Sequence, residues 1–115
     1  MTEKDTVQSQ GKTTIDPGVL VEISKLAALS VPGVDGLMQN PQTAVGFLSK
    51  RTAPGIKIEV ENNTVYVDLF VKLANDYDLF ETSKEIQEKV SRSIIEMVGM
   101  DVGHINVHIE DVTFA

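Results

Sequence analysis

From Asn62 to Leu73 the chain reads NNTVYVDLFVKL, and Val65, Val67, Leu69, Val71 and Leu73 alternate with Tyr66, Asp68, Phe70 and Lys72. A period of two over this length marks a strand with one buried face and one open face. The stretch before it, Gly55 to Glu61, repeats the pattern: Ile56, Ile58 and Val60 on one side, Lys57, Glu59 and Glu61 on the other. Asn62-Asn63 separates the two, and Asn tolerates positive φ better than most residues, so a two-residue hairpin turn is expected. This hairpin is predicted to form the middle of the domain.

Upstream, the period changes to that of a helix. Asp16 is a suitable N-cap, and Pro17 suits the first helical position, where no backbone donor is needed. Val19, Ile23, Leu26 and Ala27 share one face at helical spacing, while Val21, Ala28 and Leu29 lie on other sides. Only Glu22, Ser24, Lys25 and Ser30 interrupt the apolar surface. A helix lying on a small sheet needs about 100° of apolar stripe, so this one has a surplus. The surplus is covered either by the long loop that follows or by self-association. Val31-Pro32-Gly33 ends the helix, because Pro32 disfavours helical geometry at Val31 and Gly33 permits the turn.

The connection VDGLMQNPQTAVGFLSKRTAPG is long for a compact domain and is expected to carry structure of its own. A helical turn over Thr43 to Lys50 would bury Val45, Phe47 and Leu48. After Leu73, Asp78 caps a second helix with Glu81 in capping-box register. Leu79, Ser83, Ile86, Val90, Ile94 and Met97 follow helical spacing, and Gly99 stops it. The last strand runs from Gly103 to Val112. Ile105, Val107 and Ile109 point one way, and His104, Asn106, His108 and Glu110 the other. Gly11 to Ile15 forms a short, weak edge strand, and residues 1–10 a disordered tail, leaving residues 11–115 as one domain. The order β-α-β-β-α-β predicts a two-layer α+β domain. Two main helices pack on one face of a three- to four-stranded mixed sheet with a β-hairpin at its centre. The order also fits a split β-α-β, ferredoxin-like arrangement.

Composition narrows the function. The 115 residues suffice for one hydrophobic core, and with neither Trp nor Cys that core is aliphatic and free of disulfide and thiolate chemistry. No apolar run approaches the roughly 20 residues that span a bilayer, and the N-terminus lacks the apolar core of a signal peptide. A net charge of −7 opposes direct contact with nucleic acid or anionic lipid.

Few residues invite chemistry. His104 and His108 lie four residues apart on a strand, about 13 Å at ~3.3 Å per residue, too far to share one metal ion. Gly33, Gly36 and Gly46 follow no strand and precede no Lys-Ser/Thr pair, so they form no phosphate loop. Nothing resembles a nucleophile elbow. No catalytic, cofactor-binding or metal-binding residue is therefore assigned. Tyr66 and Phe70 stand on the outer sheet face. Exposed strand aromatics stack RNA bases in some modules, but Asp68, Glu59 and Glu110 beside them oppose phosphate. A protein contact suits this mixed face better. The partner-binding residues assigned from sequence are thus Tyr66 and Phe70 on the sheet and Val21 and Leu29 on the first helix.

Three stretches, IDPGVLVEISKLAALSVPGVDGL, GIKIEVENNTVYVDLFV and IQEKVSRSIIEMVGMDVGHINVHIEDV, together resemble the alkaline shock protein (envelope stress response) family of mainly Gram-positive bacteria. The resemblance covers Gly11 to Val112. It implies a small, non-catalytic cytoplasmic protein that forms homo-oligomers and sits near the membrane through a membrane-anchored partner. Related members are linked to control of fatty-acid synthesis, so a lipid-synthesis enzyme is the alternative partner. No catalytic motif comes with the family, and the Val31–Gly36 turn is its best-kept feature here.

Overall fold

The computed structural model describes residues 15–38, 52–53 and 55–114. The expected tail at 1–10, most of the weak strand at Gly11 to Ile15 and the helical turn at Thr43 to Lys50 lie outside the described residues. The elements are α1 (Pro17–Leu29), β1 (Val34–Leu37), β2 (Thr52–Ala53), β3 (Ile56–Glu61), β4 (Thr64–Ala74), α2 (Leu79–Val98) and β5 (Asp101–Thr113). Among the described residues they form an α+β arrangement with two helices on one face of a mixed sheet.

β4 is the spine. Val65, Val67, Leu69, Val71 and Leu73 are all fully buried beneath the helices. At about 1.5–3 kcal/mol each, their burial far outweighs any surface pair in setting the register. Asn62 and Asn63 take φ of 52° and 63°, which makes the β3–β4 hairpin turn a left-handed pair matched to the strand twist. β3 pairs antiparallel with the first half of β4, from Glu61 opposite Thr64 to Ile56 opposite Leu69. β1 takes over the same edge further on, with Leu37 opposite Val71 and Val34 opposite Leu73. The handover falls at Phe70, whose N–H donates to Gly55 at 2.9 Å and whose carbonyl accepts from Met38 at 2.7 Å. β5 runs parallel to β4 along the other edge. With the short β1 and β2 included the sheet has five strands, and neither of those two shows alternation in the sequence.

Local signals set the helix ends. The Asp16 side chain accepts from Gly18 N–H at 2.8 Å, and the Asp78 side chain accepts from Glu81 N–H at 3.0 Å. Gly99 closes α2 in the left-handed conformation. The buried face of α2 is Thr82, Ile86, Val90 and Ile94. Met97, expected on it, is 71% exposed, and Val98, four residues after Ile94, packs against the core in its place.

α1 differs more. Its buried residues are Leu20, Val21, Ser24, Ala27 and Ala28, whereas Val19 and Leu26, expected in the core, are 47% and 60% exposed. The helix is apolar on almost every side, so spacing alone does not choose the core face. Packing against α2, β1 and β3 chooses it, even at the cost of burying the Ser24 hydroxyl without a hydrogen-bond partner.

Candidate interaction surface

Among the described residues, two surfaces bear on the residues assigned from sequence to partner contacts. One is the outer stripe of α1. Val19, Leu26 and Leu29 are spaced to lie along one side of the helix, Ile15 precedes its N-cap Asp16, and all four are partly exposed. Leu29 is the one sequence-assigned residue of α1 that this surface contains. Val21 is not on it: at 9% exposure it belongs to the core, so its assignment to a partner contact is corrected.

The other surface is the outer face of the sheet. The pleat places Tyr66, Asp68, Phe70 and Lys72 of β4 beside His104, Asn106 and His108 of β5 through the register Tyr66–His104, Asp68–Asn106 and Phe70–His108. The Tyr66 and His104 rings meet at 4.9 Å in a tilted arrangement. Phe70 and His108 stack at 4.6 Å with 13° between their planes. Phe70 is only 5% exposed, so it is not the open docking ring expected from sequence. Tyr66 keeps partial exposure.

Asp68 joins the two strands across this face. Its Oδ1 accepts from Asn106 Nδ2 at 3.1 Å and lies 3.0 Å from His108 Nε2. A carboxylate only accepts, so His108 is the donor. Burial pushes the Asp68 carboxyl upward. The hydrogen bonds from His108 and Asn106, with the charges of His108 and His104, outweigh it, and the group sits below the ordinary carboxylate value. Thus His104 and His108 are spent on separate neighbours. Among the described residues no three metal-ligating side chains come together.

Gly103 has a role the sequence did not reveal. The β4–β5 register slips between Val65–Val102 and Tyr66–His104, which leaves Gly103 as the extra residue of a bulge. A Cβ there would fall 2.1 Å from Cε1 of Tyr66. The ring lies directly over the glycine, and only a bare backbone lets it do so. Nearby, an open groove of about 700 Å³ runs between α2 and β5, lined in part by Gln87, Ser91, Ile95, Val102 and Ile105. Gln87 Nε2 reaches down from α2 to the Ile105 carbonyl at 2.9 Å. No sequence signal marked this bond, because it joins residues 18 positions apart.

No helix among the described residues is long and apolar enough to cross a membrane.

A family model for the alkaline shock proteins, described as having cell envelope-related function, matches residues 5–114, in line with the resemblance read from the sequence. No curated protein matches the chain. Among solved structures, a cysteine-to-serine variant of the MamM CTD aligns at 16% identity with a TM-score of 0.51, covering 82% of this chain and 94% of that one. A glutamate-to-histidine variant of the MamM CTD in a nickel form aligns at 15% identity and the same TM-score, covering 82% and 96%. These likenesses concern the fold alone.

Proposed function

The chain belongs to the alkaline shock protein family, and from that premise we propose that it is a non-enzymatic interaction module of the cell envelope, working by self-association and by docking on a protein partner. One observation carries the proposal. α1 leaves Val19, Leu26 and Leu29 in water, with Ile15 just before it, while a fully formed core lies on its other side. A stripe of three apolar side chains on one helix, continued by Ile15 just before it, is a feature that protein contacts cover. The family description supplies the setting, and peripheral placement at the membrane through an anchored partner follows as part of the proposal. Base stacking by the outer sheet face has less support, since Phe70 is buried and Asp68 lies between the two ring pairs.

The test is recovery of a tagged copy from its own cells with membranes retained, followed by mass spectrometry. The same is done with Leu26→Ser/Leu29→Ser, two exposed positions whose replacement leaves the core intact. Recovery of a membrane-anchored protein by the unsubstituted chain, lost with the double variant, is the expected result. Recovery of lipid-synthesis enzymes would identify a regulator of fatty-acid synthesis instead. Retention of RNA in place of proteins would overturn the proposal.

A further inference from the structure

β5 is a thirteen-residue strand, and among the described residues it pairs only with β4. Its outer edge therefore carries a row of backbone donors and acceptors turned away from the sheet. Exposed edges of this kind are usually blunted by lysine, proline, inward charges or bulges. Bulges at Gly103 and Glu110 bracket the strand, but between them His104 to Ile109, HINVHI, contains no such device. The reach of Gln87 to the Ile105 carbonyl shows which residues face outward, because a helix side chain meets a carbonyl there only at the open edge. Backbone alternation then turns the N–H and C=O of Val107 and Ile109 the same way.

We propose that this edge pairs antiparallel with β5 of a second copy, about a two-fold axis at Val107, so that two sheets become one; the proposal rests on the self-association put forward above. The symmetry limits the choices. An axis normal to the sheet keeps side-chain faces, and directly opposed residues share a face, so one residue must oppose itself. With Val107 at the axis, Ile105 opposes Ile109, Asn106 opposes His108 and His104 opposes Glu110. The helix-side pairs are apolar, the outer pairs are polar, and each end brings an imidazole against a carboxylate. Ile109, 39% exposed in the single chain, gains an aliphatic neighbour. Moving the axis to Asn106 sets His104 against His108. Moving it to His108 sets Ile105 against Asp111. Neither alternative matches face to face as well, and cross-strand pairs are what select a register.

Gln87 competes with the incoming strand, since its amide occupies one of the carbonyls to be paired. The two copies must release it, and its loss favours association.

Sedimentation equilibrium over a range of concentrations tests the pairing with three variants: His104→Glu, His104→Glu/Glu110→His and Gln87→Ala. All three positions are exposed, and circular dichroism confirms that the fold is retained. His104→Glu places like charges at both ends of the pairing and is expected to weaken the dimer about tenfold. The double substitution exchanges the two partners and is expected to restore it, while Gln87→Ala tightens it about threefold to tenfold. A dimer unaffected by His104→Glu, or not restored by the exchange, overturns the β5 pairing while leaving self-association through another surface intact. A chain that stays monomeric up to about 1 mM, in the weak-affinity range, overturns the pairing and the self-association together.

Discussion

Replacing Gly103 by alanine is expected to destabilise the domain only while Tyr66 keeps its ring. Two opposed effects meet at this position. Gly103 has no positive φ, so alanine can adopt its backbone conformation and should stabilise by about 0.4–1 kcal/mol through the unfolded chain. Against that, the new Cβ falls 2.1 Å from Cε1 and 2.6 Å from Cδ1 of Tyr66, so the ring has to leave its place over the bulge and its contact with His104. Overpacking of this kind costs about 1–3 kcal/mol. The net expectation for Gly103→Ala is a loss of about 1–2 kcal/mol, while in a Tyr66→Ala background the same change becomes a gain of about 0.4–1 kcal/mol. The double-mutant cycle should therefore give a coupling of about 2 kcal/mol. Urea unfolding reads it directly, because a slope of about 1–3 kcal/mol/M turns that coupling into a midpoint difference of about 1 M. Protein concentration must be held fixed, since the proposed self-association would link stability to it. Equal costs of Gly103→Ala in the two backgrounds would refute the placement of the ring over the glycine.

The Val31–Gly36 turn should divide sharply between its two glycines. Gly33 has φ +98° and a Cβ there would lie 2.9 Å from the Tyr77 Cγ, so Gly33→Ala is expected to cost about 1–3 kcal/mol. Gly36→Ala, with nothing within 4 Å, should be near neutral by the same urea titration; equal effects would sink this account. Ser24→Ala removes a fully buried hydroxyl that has no partner. It should raise the stability by about 1 kcal/mol in calorimetry, and a loss would mean that the hydroxyl is satisfied after all. Asp68 has a lowered pKa in the folded chain, so its contribution is present above the unfolded value of about 3.9 and is lost as pH falls through the folded value. Asp68→Asn should thus be less stable than the parent at about pH 6, by under about 1 kcal/mol, with the gap closing as pH falls through the folded value. A gap that persists at low pH would show that shape rather than charge holds this position.

The local features of the chain are legible in its sequence. The β3–β4 hairpin follows from alternation on both sides of Asn62-Asn63. The helix starts follow from Asp16-Pro17 and Asp78, and the stop of α2 from Gly99. Each is decided among residues within a few positions of one another, where period and capping operate. Tertiary structure decided the rest. α1 is apolar nearly all round, so only its neighbours could make Val21 core and leave Leu26 in water. VDGL became a strand because a free stretch of the β4 edge, well over thirty residues on, had room for it. Tyr66 covers Gly103 and Phe70 stacks on His108 because β5 lies parallel to β4 in one register, with bulges that no sequence period records. A period reports which face of an element is apolar. Which other element meets that face, and which edge is left over, depends on the summed packing of segments far apart in the chain.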